Sequence, residues 1–274
     1  MIADYIDLMF WPLMAAFVLT GIHVYLGLHV VTRGVIFVDL ALAQVAALGM
    51  AFGALMGLEH ESMAIYLIAL LFTFMGAGLF AFTRDIQNRF SQEAIIGIVY
   101  AISAALMIIL LSKIPEGGEH LNHLLVGSIL FVSPLAVIKT AALYLTIGIF
   151  HYVYRTAFLT VSQFPDIQAD SAINRRFWDF MFYVTFGFVV TSSVQIAGIF
   201  LVFSYLIIPA VAALLFVQGI KKRLLFGWGF GMVGSLFGLV FSVVFDIPTG
   251  ASIVATFGAL LVLVVIFRKM KVSN

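Results

Sequence analysis

The sequence predicts an all-α, polytopic integral membrane protein, and three observations carry that prediction. Of its 274 residues, 64% are hydrophobic and 10% are charged, against about 25% charged residues in soluble domains. The mean hydropathy is +1.17. The apolar residues also come in runs of spanning length, since a helix crosses a bilayer with about 20 of them. Nine such helices would take about 180 residues. That leaves no room for a soluble catalytic domain, so residues 1–274 read as a single transmembrane domain.

The expected spans lie near 8–31, 34–58, 62–83, 93–112, 132–154, 177–195, 197–219, 224–245 and 250–268. Asp4 and Asp7 stand where a signal peptide would carry positive charge, so the first run is kept as a span. The sixth and seventh spans come from one uncharged run, Phe180 to Gly219. A single helix of that length would be about 60 Å long, twice the hydrocarbon thickness. A reversal is expected at the polar patch Thr191-Ser192-Ser193-Val194-Gln195, and eight spans plus a re-entrant piece is the alternative count. Stripes of small residues, Gly49, Gly53 and Gly57 in the second span and Gly227, Gly231, Gly234 and Gly238 in the eighth, suit close helix packing.

Charge sets the orientation. With alternate connections facing inward, Arg33, Arg84, Arg89, Arg155, Arg175, Arg176, Lys221, Lys222, Arg223, Arg268, Lys269 and Lys271 share one side, twelve of the 14 cations. Cationic loops stay cytoplasmic, so the N-terminus is expected outside and the C-terminus inside. Glu59, His60, Glu61, Glu119, His120 and His123 then form an acidic, histidine-bearing outer entrance. The absence of cysteine excludes a disulfide framework and a thiolate zinc site. A net charge of +1 offers no basis for binding nucleic acid.

Polar groups inside spans are costly and so informative. His23 and His29 on the first span, and Asp39 and Gln44 on the second, supply imidazole, carboxylate and amide groups, the first two being ligands for divalent transition metals. Counted from residues 31 and 34, His23 lies about 12 Å and Gln44 about 15 Å deep, with Asp39 at about 7.5 Å. The same groups also serve as interhelical hydrogen-bonding partners, and spacing leaves both readings open. Glu93 opens the fourth span, where an acid is stabilised by the helix dipole. The long cytoplasmic stretch of about 160–176, with Phe164, Pro165, Asp166 and Ala169, has room for a helix on which a soluble motor could push.

Six stretches resemble one family in its order: Gly27 to Gln44 (GLHVVTRGVIFVDLALAQ), Glu93 to Tyr100 (EAIIGIVY), Leu124 to Leu130 (LLVGSIL), Phe164 to Ala169, Gly198 to Ala213 (GIFLVFSYLIIPAVAA) and Asp246 to Val254 (DIPTGASIV). Together they resemble the membrane permeases of zinc, manganese and iron ABC transporters. The resemblance implies a half-transporter in the bacterial plasma membrane that works as a homodimer. Its implied partners are a cytoplasmic ATP-binding subunit docked at Phe164, Pro165, Asp166 and Ala169 and an extracytoplasmic metal-binding protein. It also implies a transported divalent metal, with zinc first and manganese or iron as alternatives, and no permanently bound cofactor.

The chain carries no G-x-x-x-x-G-K-[ST] phosphate loop, so it is expected to be no enzyme itself, with ATP hydrolysis left to a partner. The family commonly places an Asp and a His at positions matching Leu40 and Gln44; here the acid is Asp39, about 140° around the helix from Gln44. A secondary metal transporter or channel is the alternative, and it would predict paired repeats with broken helices.

Overall fold

Long apolar helices follow one another along almost the whole chain in the computed structural model, which describes residues 2–59, 62–83, 91–163 and 174–272. In order they are α1 (Ile2–Arg33), α2 (Val38–Leu55), α3 (Met63–Thr83), α4 (Gln92–Leu111), α5 (Gly117–Val126), α6 (Pro134–Val153), α7 (Arg155–Gln163), α8 (Arg175–Phe216), α9 (Ile220–Phe245) and α10 (Thr249–Val272). Among the described residues, eight of these are long and apolar enough to cross a membrane, all except α5 and α7. There is no strand among the described residues.

The count of eight includes α8, 42 residues long and interrupted by non-helical backbone at Gly198 (φ 72°, ψ 166°). Its two arms, 175–197 and 199–216, match the sixth and seventh expected spans, so counting them apart restores nine. The break is not at Thr191–Gln195, as the polar patch suggested. Ser192 and Ser193 return their hydroxyls to the Phe188 and Val189 carbonyls inside the helix, and Thr191 meets Thr73 Oγ1 at 2.9 Å. Satisfied in this way, these hydroxyls give the helix no reason to end, whereas Gly198 adopts a positive φ that L-residues avoid.

The described chain divides into two compact units interleaved along the sequence. One comprises residues 1–31, 126–141 and 196–274. In it α1 packs so closely on the second arm of α8 that a Cβ at Gly27 would lie 1.9 Å from the Leu206 carbonyl oxygen. The glycine stripe of α9 serves packing on two sides. Gly227 and Gly231 receive Val24 and Thr20 of α1, and Gly234 and Gly238 receive Phe257 and Ile253 of α10. The turn from α9 to α10 is stitched by Ser242, whose hydroxyl donates to the Ile247 carbonyl at 2.7 Å and meets Thr249 Oγ1 at 2.6 Å. Val126 and Gly127 lie against Gly198 and Gly250, so the LLVGSIL, GIFLVFS and DIPTGAS stretches converge backbone to backbone. At the far end, Arg223 and Arg268 donate to the Val217 and Leu215 carbonyls, capping the end of α8 with positive charge.

The other unit comprises residues 32–125 and 142–195. Gly49 and Gly53 of α2 seat the Ala69 backbone and the Ile65 side chain of α3, and Gly187 of α8 seats Thr73. Tyr144 of α6 joins this core through hydrogen bonds to Ser192 and Ser193. Ser91 caps α4 by accepting from the Ala94 amide, and Asn174 does the same for α8 through Phe177.

Candidate functional site

The four candidate contact residues fall on two consecutive helices, one in each unit. His23 and His29 belong with the first unit, and Asp39 and Gln44 with the second. All four are buried, at no more than 2% exposure. His23 Nδ1 donates to the Leu19 carbonyl at 2.8 Å, which fixes the ring on its own helix. Its ring is tilted toward Tyr205, whose hydroxyl bonds to Ser235 at 2.7 Å. His29, six residues further along α1, stands edge-on to the Tyr25 ring at 4.7 Å.

In the second unit, α2 begins at Val38 and not at residue 34. Residues 34–37 form a turn, with Gly34 at φ 71°. Asp39 therefore sits in the first turn of α2, where exposed backbone N–H groups favour a carboxylate. Gln44 is about 7.5 Å further along the axis, and its Nε2 lies 3.5 Å from Met107 Sδ. The amide oxygen is thus turned away from that contact. Glu93 does more than sit at a helix N-terminus. Its Oε1 accepts the Ile36 amide at 3.0 Å, fastening α4 to the turn that leads into α2.

Asp39 is the outlier of the set. It is fully buried, and neither carboxylate oxygen has a hydrogen-bond partner among the described residues. A buried polar group left without a partner costs on the order of 1–3 kcal/mol, and more for a charged one. No three His, Asp or Glu side chains among the described residues group closely enough to hold a metal ion.

The outer-entrance residues are placed in part. Glu59 is exposed just beyond α2, and His60 and Glu61 lie outside the described residues. Glu119, His120 and His123 fall on α5, a ten-residue helix where only a loop was expected. Glu119 is in its first turn and His123 in its last, each matched to the helix dipole; that charge order was the available sequence signal. Phe164, Pro165, Asp166 and Ala169 lie outside the described residues, between α7 and α8. The sequence reading missed the cluster at the two ends of that gap. There Arg33 Nε donates to Ser162 Oγ at 2.8 Å, and Arg33 Nη1 pairs with Asp179 Oδ1 at 2.9 Å.

Residues 5–268 match the ABC 3 transport family. The chain belongs to that family. Among the relatives of this ABC 3 family member is the manganese transport system membrane protein MntC of Listeria innocua, 27% identical over 237 residues, covering 84% of this chain and 79% of the relative. A probable iron transport system membrane protein of Haemophilus influenzae is 26% identical, covering 68% of each chain. The high-affinity zinc uptake system membrane protein ZnuB of the same organism is 24% identical, covering 94% of this chain and 96% of the relative. The fold is that of PsaBC from Streptococcus pneumoniae, solved in complex with Fab, at a TM-score of 0.82, 23% identity and full coverage of both chains. With its eight apolar helices, this ABC 3 family member is a multi-pass protein of the bacterial inner membrane.

Proposed function

We propose that this chain is the membrane subunit of an ATP-driven importer for a divalent transition metal ion, and that two copies form the pathway with a cytoplasmic ATPase and an extracytoplasmic metal-binding protein. The observation that carries this reading is Asp39, a buried carboxyl in a spanning helix with neither oxygen hydrogen-bonded among the described residues. Gln44 adds a neutral amide oxygen on the same helix, and His23 and His29 add imidazoles on α1. These are transient contacts for an ion in passage. An ion that enters a path must also leave it, which argues against tight binding.

Zinc comes first on the sequence reading, but the relatives favour manganese as the cargo. The Asp39 carboxylate and Gln44 amide oxygens suit Mn²⁺ while the His23 and His29 imidazoles suit Zn²⁺ as well, so the relatives named for manganese tip the choice. Inward placement of the end that carries Arg223 and Arg268 rests on the rule that cationic loops stay cytoplasmic.

The test is uptake by the permease reconstituted with its ATPase and its binding protein. ATP-dependent Mn²⁺ accumulation that Zn²⁺ competes with only weakly is the expected result. Strong preference for Zn²⁺ would return zinc to first place, and metal flux that needs no ATP would favour a secondary transporter.

A further inference from the structure

Helix α2 begins without a cap of its own. Its N-cap position is Phe37, which has no side-chain oxygen to offer the amides of the first turn. Asp39, the acid of that turn, does not take over the task, since neither of its oxygens has a hydrogen-bond partner among the described residues. A short carboxyl in such a place can fold back onto neighbouring backbone amides. Here it does not.

The acceptor comes from another helix. Glu93 is in the first turn of α4, and its Oε1 accepts the Ile36 amide at 3.0 Å. Ile36 stands one residue before the N-cap of α2 and three before Asp39. From there the chain enters the helix through two backbone bonds, Val38 N–H to the Val35 carbonyl at 3.1 Å and Ala41 N–H to the Phe37 carbonyl at 3.0 Å.

The base on which Glu93 stands is fixed as well. Ser91 caps α4 through the Ala94 amide, and the buried Gln92 donates from Nε2 to the Tyr183 hydroxyl of α8 at 3.1 Å. Further along, Gln44 of α2 meets Met107 of α4. Helix α4 therefore holds α2 at two levels, and the bond from Glu93 is the charge-assisted one. All of these residues belong to the unit of residues 32–125 and 142–195.

The helix dipole explains why an acid is favoured at the start of α4. It does not explain why that acid bonds an amide 57 residues away. An oxygen committed to Ile36 fixes the turn from which α2 departs, and the start of α2 sets where the Asp39 carboxyl stands.

We propose that Glu93 is the positioning residue of the Asp39 carboxyl: by bonding the Ile36 amide from α4, it holds the first turn of α2 and spares Asp39 the capping role. The proposal rests on the reading of Asp39 as an ion contact. Glu93 touches no cargo and acts through the backbone of residues 36–39.

The test uses the permease reconstituted with its ATPase and its binding protein, and follows Mn²⁺ uptake in substitutions that separate reach from charge. Glu93→Gln keeps an acceptor oxygen at the same reach and loses the charge, and it is expected to retain most of the wild-type uptake. Glu93→Asp keeps the charge and is one methylene too short. It is expected to lower uptake about fivefold, the scale of coupling between residues that share one network, with ATP hydrolysis unchanged. Glu93→Ala, which lacks both reach and charge, is expected to match it and stands in for it if Glu93→Asp does not assemble. In the Asp39→Asn background, Glu93→Asp is expected to have no further effect, because the group it positions has gone. Wild-type uptake in Glu93→Asp would overturn the proposal. So would a loss in Glu93→Gln as large as in Glu93→Asp, which would make the charge itself the active feature, and so would losses that multiply in the double variant. Wild-type uptake in Asp39→Asn alone would instead overturn the reading of Asp39 beneath the proposal, so the two failures are told apart.

Discussion

The carbonyl oxygen of Leu206 occupies the place where residue 27 would carry a Cβ, 1.9 Å from its ideal position. Gly27 thus lets α1 and the second arm of α8 touch backbone to backbone, beside Leu28 packed on Ala210 and Ala213. Elsewhere in α1, Gly21 has nothing within 4 Å of its Cβ direction. Gly27→Ala is expected to lower the melting temperature of the detergent-solubilised protein, by about 1–3 kcal/mol of overpacking. Gly21→Ala should match or exceed wild type, because alanine favours helix by about 1 kcal/mol over glycine. Equal melting of all three proteins would mean that the helices do not approach this closely.

Much of this fold could be read before any coordinates. Eight spanning helices begin and end within a few residues of the apolar runs, because length and hydropathy alone decide what crosses a bilayer. What sequence misjudged were local backbone decisions. The patch Thr191–Gln195 looked like a reversal, but its serines pay back their hydroxyls to carbonyls in the same helix. Gly198, inside an apolar stretch, makes the break. The candidate site was legible as residue types, not as a network. Asp39 stood out as a charge in a span, yet nothing in the sequence marked Arg33 as the partner of residues 129 and 146 positions away. Long-range pairs of that kind leave no trace in a single sequence's periodicity.

Orientation is open to a direct check because the chain has no cysteine. Single cysteines at Gly118→Cys, on α5, and Lys222→Cys, at the start of α9, are expected, from the cationic loops, on opposite sides of the membrane. A membrane-impermeant maleimide applied to intact cells or spheroplasts should modify position 118 and should reach position 222 only after permeabilisation. The reverse pattern would invert the assignment drawn from the cationic loops.

The acidic and histidine groups on α5 are expected to enrich cations or dock the binding protein by long-range attraction, not to hold a fixed ion. Such attraction is screened within about 8 Å at physiological ionic strength. Glu119→Gln and His123→Ala should therefore slow Mn²⁺ uptake about twofold at low salt and leave it unchanged at high salt. Complete loss of uptake in His120→Ala alone would mark that imidazole as a specific ligand.

The central claim, that Asp39 touches the ion on its way through the membrane, is tested most directly by Asp39→Asn in the reconstituted complex, with Mn²⁺ uptake and ATP hydrolysis measured on the same vesicles. Asparagine keeps the volume and removes the negative charge, and with it the attraction to a divalent ion. Uptake is expected to fall by about tenfold or more, equivalent to about 1.4 kcal/mol, while the vesicles still hydrolyse ATP. Uptake at the wild-type rate would contradict the account and send the ion along another path.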